Sequence, residues 1–314
     1  IINNSSSSAE VQGTVAGGLL GVTLGSSLTS LITTIFTSNL GGDTGSLITA
    51  FDQVGTTQDL IIQNSHSSGK VSLCDAPSGI RIGALGGVVG LATNALITDS
   101  YATGEIKACS ATASGWGVYG GAQGGLAGIM IASRIVNSYS TGNITAVNND
   151  TIDQASQFNM YLGATGGLSG LMVNTATNAS EKPTIANSYS TGSTTADSKQ
   201  GYAAFSGGLT GMYLGTGSIV GSHSTGNITH HLTNKFVGGA MFSGGLNGVT
   251  LGVDVPFIYK SVLSKGDIRD ASSPGVLVDN SYATGKMGVH KDASGTSFSV
   301  SGGLMGAMIG QGRI

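Results

Sequence analysis

Few residues in this 314-residue chain are of a type and spacing that could do chemistry. Of its five His, only His230 and His231 are adjacent. Neighbours on a strand point to opposite faces, so a joint metal site along that segment is not expected. Ser65-His66 and Ser222-His223 pair a hydroxyl with a base, the minimal grouping for an activated nucleophile. The 16 acidic residues are scattered, and of them only Asp99 falls at a recurring position. A β-helical polysaccharide hydrolase or lyase would need paired carboxylates or a basic cluster on one face. The Gly-Gly-x-x-Gly runs lack the Lys-Ser/Thr of a phosphate loop. No catalytic residue, cofactor or metal is therefore expected.

Both Ser-His pairs fall at one position of a repeat, and the repeat is what would hold every residue in place. One half is Gly124-Gly125-Leu126-Ala127-Gly128; the other runs from Asn137-Ser138-Tyr139-Ser140-Thr141-Gly142 to Ile144. The first recurs at Gly17, Gly86, Gly166, Gly207, Gly244 and Gly302, making seven copies. The second recurs around Tyr101, Tyr189 and Tyr282, with His66 and His223 in the Tyr position of looser copies. Lys260 to Ile268 resembles a decayed copy. The period in the middle of the chain is roughly 37 to 42 residues, which indicates a solenoid, propeller or array.

Spacing is used to choose among these. Gly86 to Gly104 and Gly124 to Gly142 each span 18 residues, and the return from Gly226 to Gly244 is also 18. Two nearly equal halves predict two turns per repeat, each the length of three short strands. A four-stranded propeller blade has a similar total length but should not divide this way. The expected fold is an all-β, parallel β-solenoid, one domain over residues 1–314, with about two turns per 40-residue repeat.

The alternation of Gly-Gly-Leu-x-Gly with Asn-Ser-Tyr-x-Thr-Gly-x-Ile resembles the GLUG-motif repeat of large bacterial surface and secreted proteins. That family includes adhesins and the non-catalytic region of IgA-cleaving peptidases. The resemblance implies a right-handed β-helix serving as stalk, spacer or adhesive surface. It assigns structural roles to Gly124, Gly125, Leu126, Gly128, Asn137, Tyr139, Thr141 and Gly142.

Composition agrees with stacked strands. The chain has 53 Gly and only 4 Pro, and Pro would remove donors from a ladder. Charged residues make up 9%, and the net charge of −3 provides no basic footprint for nucleic acid. No apolar run is long enough for a membrane-spanning helix. Ile1 in place of an initiator Met suggests a processed form or an excised piece, with any leader out of view.

One stretch breaks the pattern. Leu28, Leu31, Ile32, Ile35, Phe36 and Leu40 follow helical periodicity, and Leu47, Ile48, Phe51 and Val54 form a second, shorter face. A helical insertion over residues 26–55 is expected, with irregular strands as the rival reading. The spacers 146–159, 173–184 and 253–278 are polar or contain Pro183, Pro256 and Pro274, and read as loops protruding from corners.

Two turns per repeat carry further consequences. Successive Tyr of the column Tyr101, Tyr139, Tyr189 and Tyr282 would lie about 9.6 Å apart, too far to stack, with another residue type between them. Cys74 and Cys109, each five residues after a repeat Gly, form a candidate disulfide by their even count, but two turns per repeat would require loop excursions to bring them together, whereas a single turn would allow the bond directly. The Asn before Ser-Tyr is placed at a corner. Leu126, Ile129 and Ile131 are expected to face inward. Asn143, Asn149, Asn178 and Asn227 head glycosylation sequons.

The functional expectation is a non-enzymatic, extracellular or cell-surface repeat protein with a structural or adhesive role. Solenoid ends expose unpaired strand edges, so head-to-tail self-association into a filament is the expected partnership, with a host glycan or protein as a further ligand class. The alternative is the repeat region of a secreted peptidase or a carbohydrate-active β-helix. An ice-binding face is the weakest option, because Thr recurs once per repeat and no Thr-x-Thr motif does.

Overall fold

A computed structural model describes residues 1–23, 60–73, 81–110, 117–148, 159–174, 184–198, 203–232, 239–252, 275–291, 297–310 and 312–314. These residues form strands joined by tight corners, with no helix among them. The strands assemble into one eight-stranded and four seven-stranded sheets. Every pairing is parallel, and consecutive members of a sheet are five strands apart in the chain. This is a parallel β-solenoid with five walls, an arrangement consistent with the right-handed form.

One coil takes one whole repeat, which corrects the two-turn expectation. The third coil shows the plan, with Ala95–Thr98, Tyr101–Ala102, Ile106–Ser110, Gly117–Gly124 and Ala127–Ile131 forming walls one to five. Tyr101 then pairs directly with Tyr139, 38 residues on. The two halves had similar lengths but different letters, and each letter recurs only after a full repeat. Because residues in register must share a rung, the unit of repetition is the coil and not half of it.

The interior is built from columns of one residue per coil. In the first wall Ile2, Ile62, Ile97, Ile135, Ile185, Ile219 and Val278 are successive register partners. The Leu of Gly-Gly-Leu makes a second column of fully buried side chains, Leu126, Leu168, Leu209 and Leu246, with Val88 at its start. Ile106, Ile144 and Ile228 line the third wall. Each such side chain removed from water contributes roughly 1.5–3 kcal/mol.

The expectation for the fifth wall was half right. Leu126 is buried, but Ile129 and Ile131 are half-buried while Met130 between them is fully buried. Period-two alternation explains this, since Met130 faces the core and its neighbours must then face out.

The corner before the second wall is formed by left-handed backbone. Asn4, Asn64, Asp99, Asn137, Asn187 and Asn280 all have φ between 44° and 50°, and Gly221 takes the same position at φ 59°. Asn, Asp and Gly are the residues that tolerate this region. The placement of the repeat Asn at a corner is thus met.

Other expectations fall partly or wholly outside the described residues. The insertion 26–55 lies there entirely, as does most of each spacer. Ala146 to Asn148, however, belong to the strand Ile144–Asn148, Val173 and Asn174 to Ser169–Asn174, and Val276 to Val278 to Val276–Asp279. The spacers therefore begin later, or end earlier, than the sequence suggested. Cys74 also lies outside the described residues. It follows Leu73, the register partner of Ala108, the residue before Cys109. One coil per repeat removes the spacing objection to a Cys74–Cys109 bridge.

Candidate functional site: the ladders of the second wall

The second wall is only two residues wide in each coil, and its outward residue is always aromatic from the second coil on. His66, Tyr101, Tyr139, Tyr189, His223 and Tyr282 stack with ring centroids 4.7, 4.9, 4.9, 5.0 and 4.8 Å apart and planes within 7° of parallel. This overturns the 9.6 Å spacing for Tyr101, Tyr139 and Tyr189, which touch directly; only between Tyr189 and Tyr282 does another residue, His223, intervene. Parallel, in-register strands dictate the ring separation. The first coil has Ser6 in that position, so the column begins at His66.

The ladder changes the acidity of Tyr139. Partial burial raises the Tyr139 phenol above its ordinary value, and the phenols of Tyr189 and Tyr101 raise it further because adjacent phenolates would repel.

Beneath it runs a serine ladder. Ser65, Ser100, Ser138, Ser188 and Ser222 are buried, and each hydroxyl bonds twice. Ser138 Oγ donates to the carbonyl of Val136 at 2.7 Å and accepts the backbone N–H of Ser100 at 3.1 Å. The pattern repeats from the Ser5 amide, which reaches Ser65 Oγ, to the Ser222 amide, which reaches Ser281 Oγ. The tight corner leaves that amide without a strand partner, and the hydroxyl supplies one. Ser65 and Ser222 are therefore committed to Gln63 and Val220 carbonyls while His66 and His223 stack on tyrosines, so neither Ser-His pair is arranged as nucleophile and base.

Two polar columns flank the rings. Corner side chains bond along the axis: Asn137 Nδ2 to Asp99 Oδ1 at 3.2 Å, and Asn187 Nδ2 to Asn137 Oδ1 at 3.4 Å. On the other side Thr103, Thr141, Thr191, Thr225 and Thr284 are exposed. The sequon residues Asn143 and Asn227 are exposed as well, and their Oδ1 atoms accept the Ser193 and Lys286 amides of the next coil, both at 2.9 Å. Asn149 and Asn178 lie outside the described residues.

The two halves of the repeat meet here. The second Gly of each Gly-Gly pair packs against the residue after the ring in the next coil: Gly87 on Ala102, Gly125 on Ser140, Gly167 on Ser190 and Gly208 on Ser224. A Cβ on any of these glycines would overlap that side chain and the following coil's Gly carbonyl. Sequence reasoning left the residue after Tyr as an unspecified x; the signal was that it is only ever Ser or Ala. Likewise Gly142, which closes the motif, sits directly on the carbonyl of Gly104.

Polar groups also occur inside. His230 is 1% exposed and its Nε2 bonds Ser206 Oγ, which lies 2.6 Å from Thr165 Oγ1. Burial pushes His230 down to about 4, with a smaller push from His231. In a second group, Tyr213 OH donates to Thr184 Oγ1 at 2.9 Å and accepts from Asn174 Nδ2 at 3.1 Å, and its pKa is pushed up to about 12 by burial. His230 faces inward and His231 does not, so the adjacent pair cannot share one ion. Among the described residues no three of His, Cys, Asp and Glu gather to hold a metal. Of the carboxylates, Asp99 is engaged by Thr98 and Asn137, and Glu105 by Lys70 at 3.3 Å.

A five-walled parallel solenoid whose coils interlock through Gly-Gly and Ser-Tyr-x-Thr-Gly defines the class of protein. Residues 83–107 match the family model described as the GLUG motif, consistent with a GLUG-motif protein. No curated protein matches the chain, and no solved structure does.

Proposed function

We propose that this chain is a non-enzymatic structural or adhesive repeat of the cell exterior, and that copies associate end to end. The observation that carries the reading is the use made of the repeated polar groups. The serine, asparagine and glycine columns are spent on joining one coil to the next, and the outward face is a periodic array of rings and hydroxyls. The surface location rests on the resemblance of the repeat to those of bacterial surface and secreted proteins.

The last described coil ends on an open edge. Gly303 occupies the position of Gly125, yet nothing lies within 4 Å of the place where its Cβ would be, whereas every interior counterpart is blocked. Tyr282 and Phe298 are 51% and 57% exposed on the same coil. A further coil laid there would cover these groups, and the first coil of a second copy has the matching Gly18. Gly312–Arg313 already occupies the eighth rung of the first wall, where Ile2–Asn3 of that copy would go. Joining therefore requires this two-residue strand to yield.

The test is sedimentation over a concentration series with negative-stain electron microscopy. Rods of constant width that lengthen with concentration are expected, growing faster when residues 311–314 are deleted. Gly303→Ala should leave the subunit folded but stop its growth, because the new methyl group would strike the incoming glycine carbonyl. Monomers at every concentration, or unimpaired growth of Gly303→Ala, would exclude end-to-end joining through this face.

A further inference from the structure

Stacking creates a histidine pair that sequence distance conceals. In the third wall Asp197, His231 and His290 are successive register partners on the fifth, sixth and seventh coils. The rings of His231 and His290 lie 4.9 Å apart, 17° from parallel. His231 is half-buried and His290 exposed, while the intervening alternation sends His230 into the core.

A neutral imidazole offers one ring nitrogen as a metal donor. Two imidazoles one strand spacing apart present two such donors side by side on a face open to solvent. Metal–nitrogen bonds of about 2.0–2.1 Å are reached when the ring tips close to roughly 3.3 Å, a small tilt for side chains on adjacent strands. The other stacked histidines lack this option, since His66 and His223 lie against tyrosines. We propose that His231 and His290 form a binding site for a divalent transition metal. A pair of imidazoles selects ions such as Zn²⁺, Ni²⁺ or Cu²⁺ over Mg²⁺ and Ca²⁺, which prefer all-oxygen sets. A bound ion would clamp the sixth and seventh coils together across the third wall.

Calorimetric titration of the chelator-treated chain with Ni²⁺ tests the site. One equivalent is expected to bind. His290→Phe keeps a ring in the stack but has no nitrogen donor, and should abolish stoichiometric binding while circular dichroism remains unchanged. His66→Phe and His223→Phe should bind as the parent does. The site is refuted by a parent chain that takes up no stoichiometric Ni²⁺, by His290→Phe that still binds, or by equal loss in the His66 and His223 variants.

Discussion

Gly125 of the third coil lies directly against Ser140 of the fourth, so closely that a Cβ on the glycine would overlap both the serine hydroxyl and the carbonyl of Gly167. The contact joins the two halves of the repeat, which sequence order presents as separate motifs. It predicts that Gly125→Ala is severely destabilising, by roughly 3 kcal/mol or more, because the obstacle includes backbone that cannot move aside. Ser140→Gly in the same chain should restore only part of the loss, since the Gly167 carbonyl remains. Gly303→Ala, at the equivalent open position, should change subunit stability by less than about 0.5 kcal/mol. Urea denaturation of the three variants checks all of these outcomes.

The ring column predicts a positional gradient. Tyr139 stacks on two rings and Tyr282 on one. With each stack worth about 0.5–1.5 kcal/mol beyond area burial, Tyr139→Ala should cost roughly twice as much as Tyr282→Ala. Tyr139→His should retain most of the stability, as His66 and His223 already occupy the ladder. Denaturant midpoints at constant m value would reveal the order.

Removing a rung from the serine ladder orphans a buried amide. Ser138→Ala leaves the Ser100 N–H without its acceptor, and the expected loss is about 1–3 kcal/mol. Hydrogen exchange should locate the effect, with loss of protection at the Ser100 amide one coil away in addition to the site itself.

Acid should act through His230. Its folded pKa of about 4 lies below the ordinary value of 6.5, so the unfolded chain takes up the proton first. Stability is therefore unaffected above about pH 6.5, falls as pH drops towards 4, and levels off below that, for a total loss of roughly 3 kcal/mol. His230→Val, which copies Val289 of the next coil in register, should flatten this segment of the stability profile. Thermal melts between pH 7 and pH 4 make the comparison.

Much of this was legible in the letters. The seven Gly-Gly copies, the recurring Asn-Ser-Tyr and the scarcity of charge and Pro determined a stacked-strand architecture, because only residues that meet their own kind above and below need to recur so regularly. The corner Asn followed from the backbone region that residue tolerates. His66 and His223 could be assigned to the Tyr column from their place in the motif alone.

What the chain order could not decide was the number of rungs per repeat. Two halves of equal length are compatible with one coil or two, since length counts residues and not the walls they cross. The tertiary structure settles this by pairing Tyr101 with Tyr139, and the rest follows from that register: rings in contact, serines bonding from coil to coil, and Gly125 seated on Ser140. His231 and His290 are 59 residues apart in sequence and 4.9 Å apart in space, because a strand spacing is set by backbone hydrogen bonds and is indifferent to how much chain lies between the rungs.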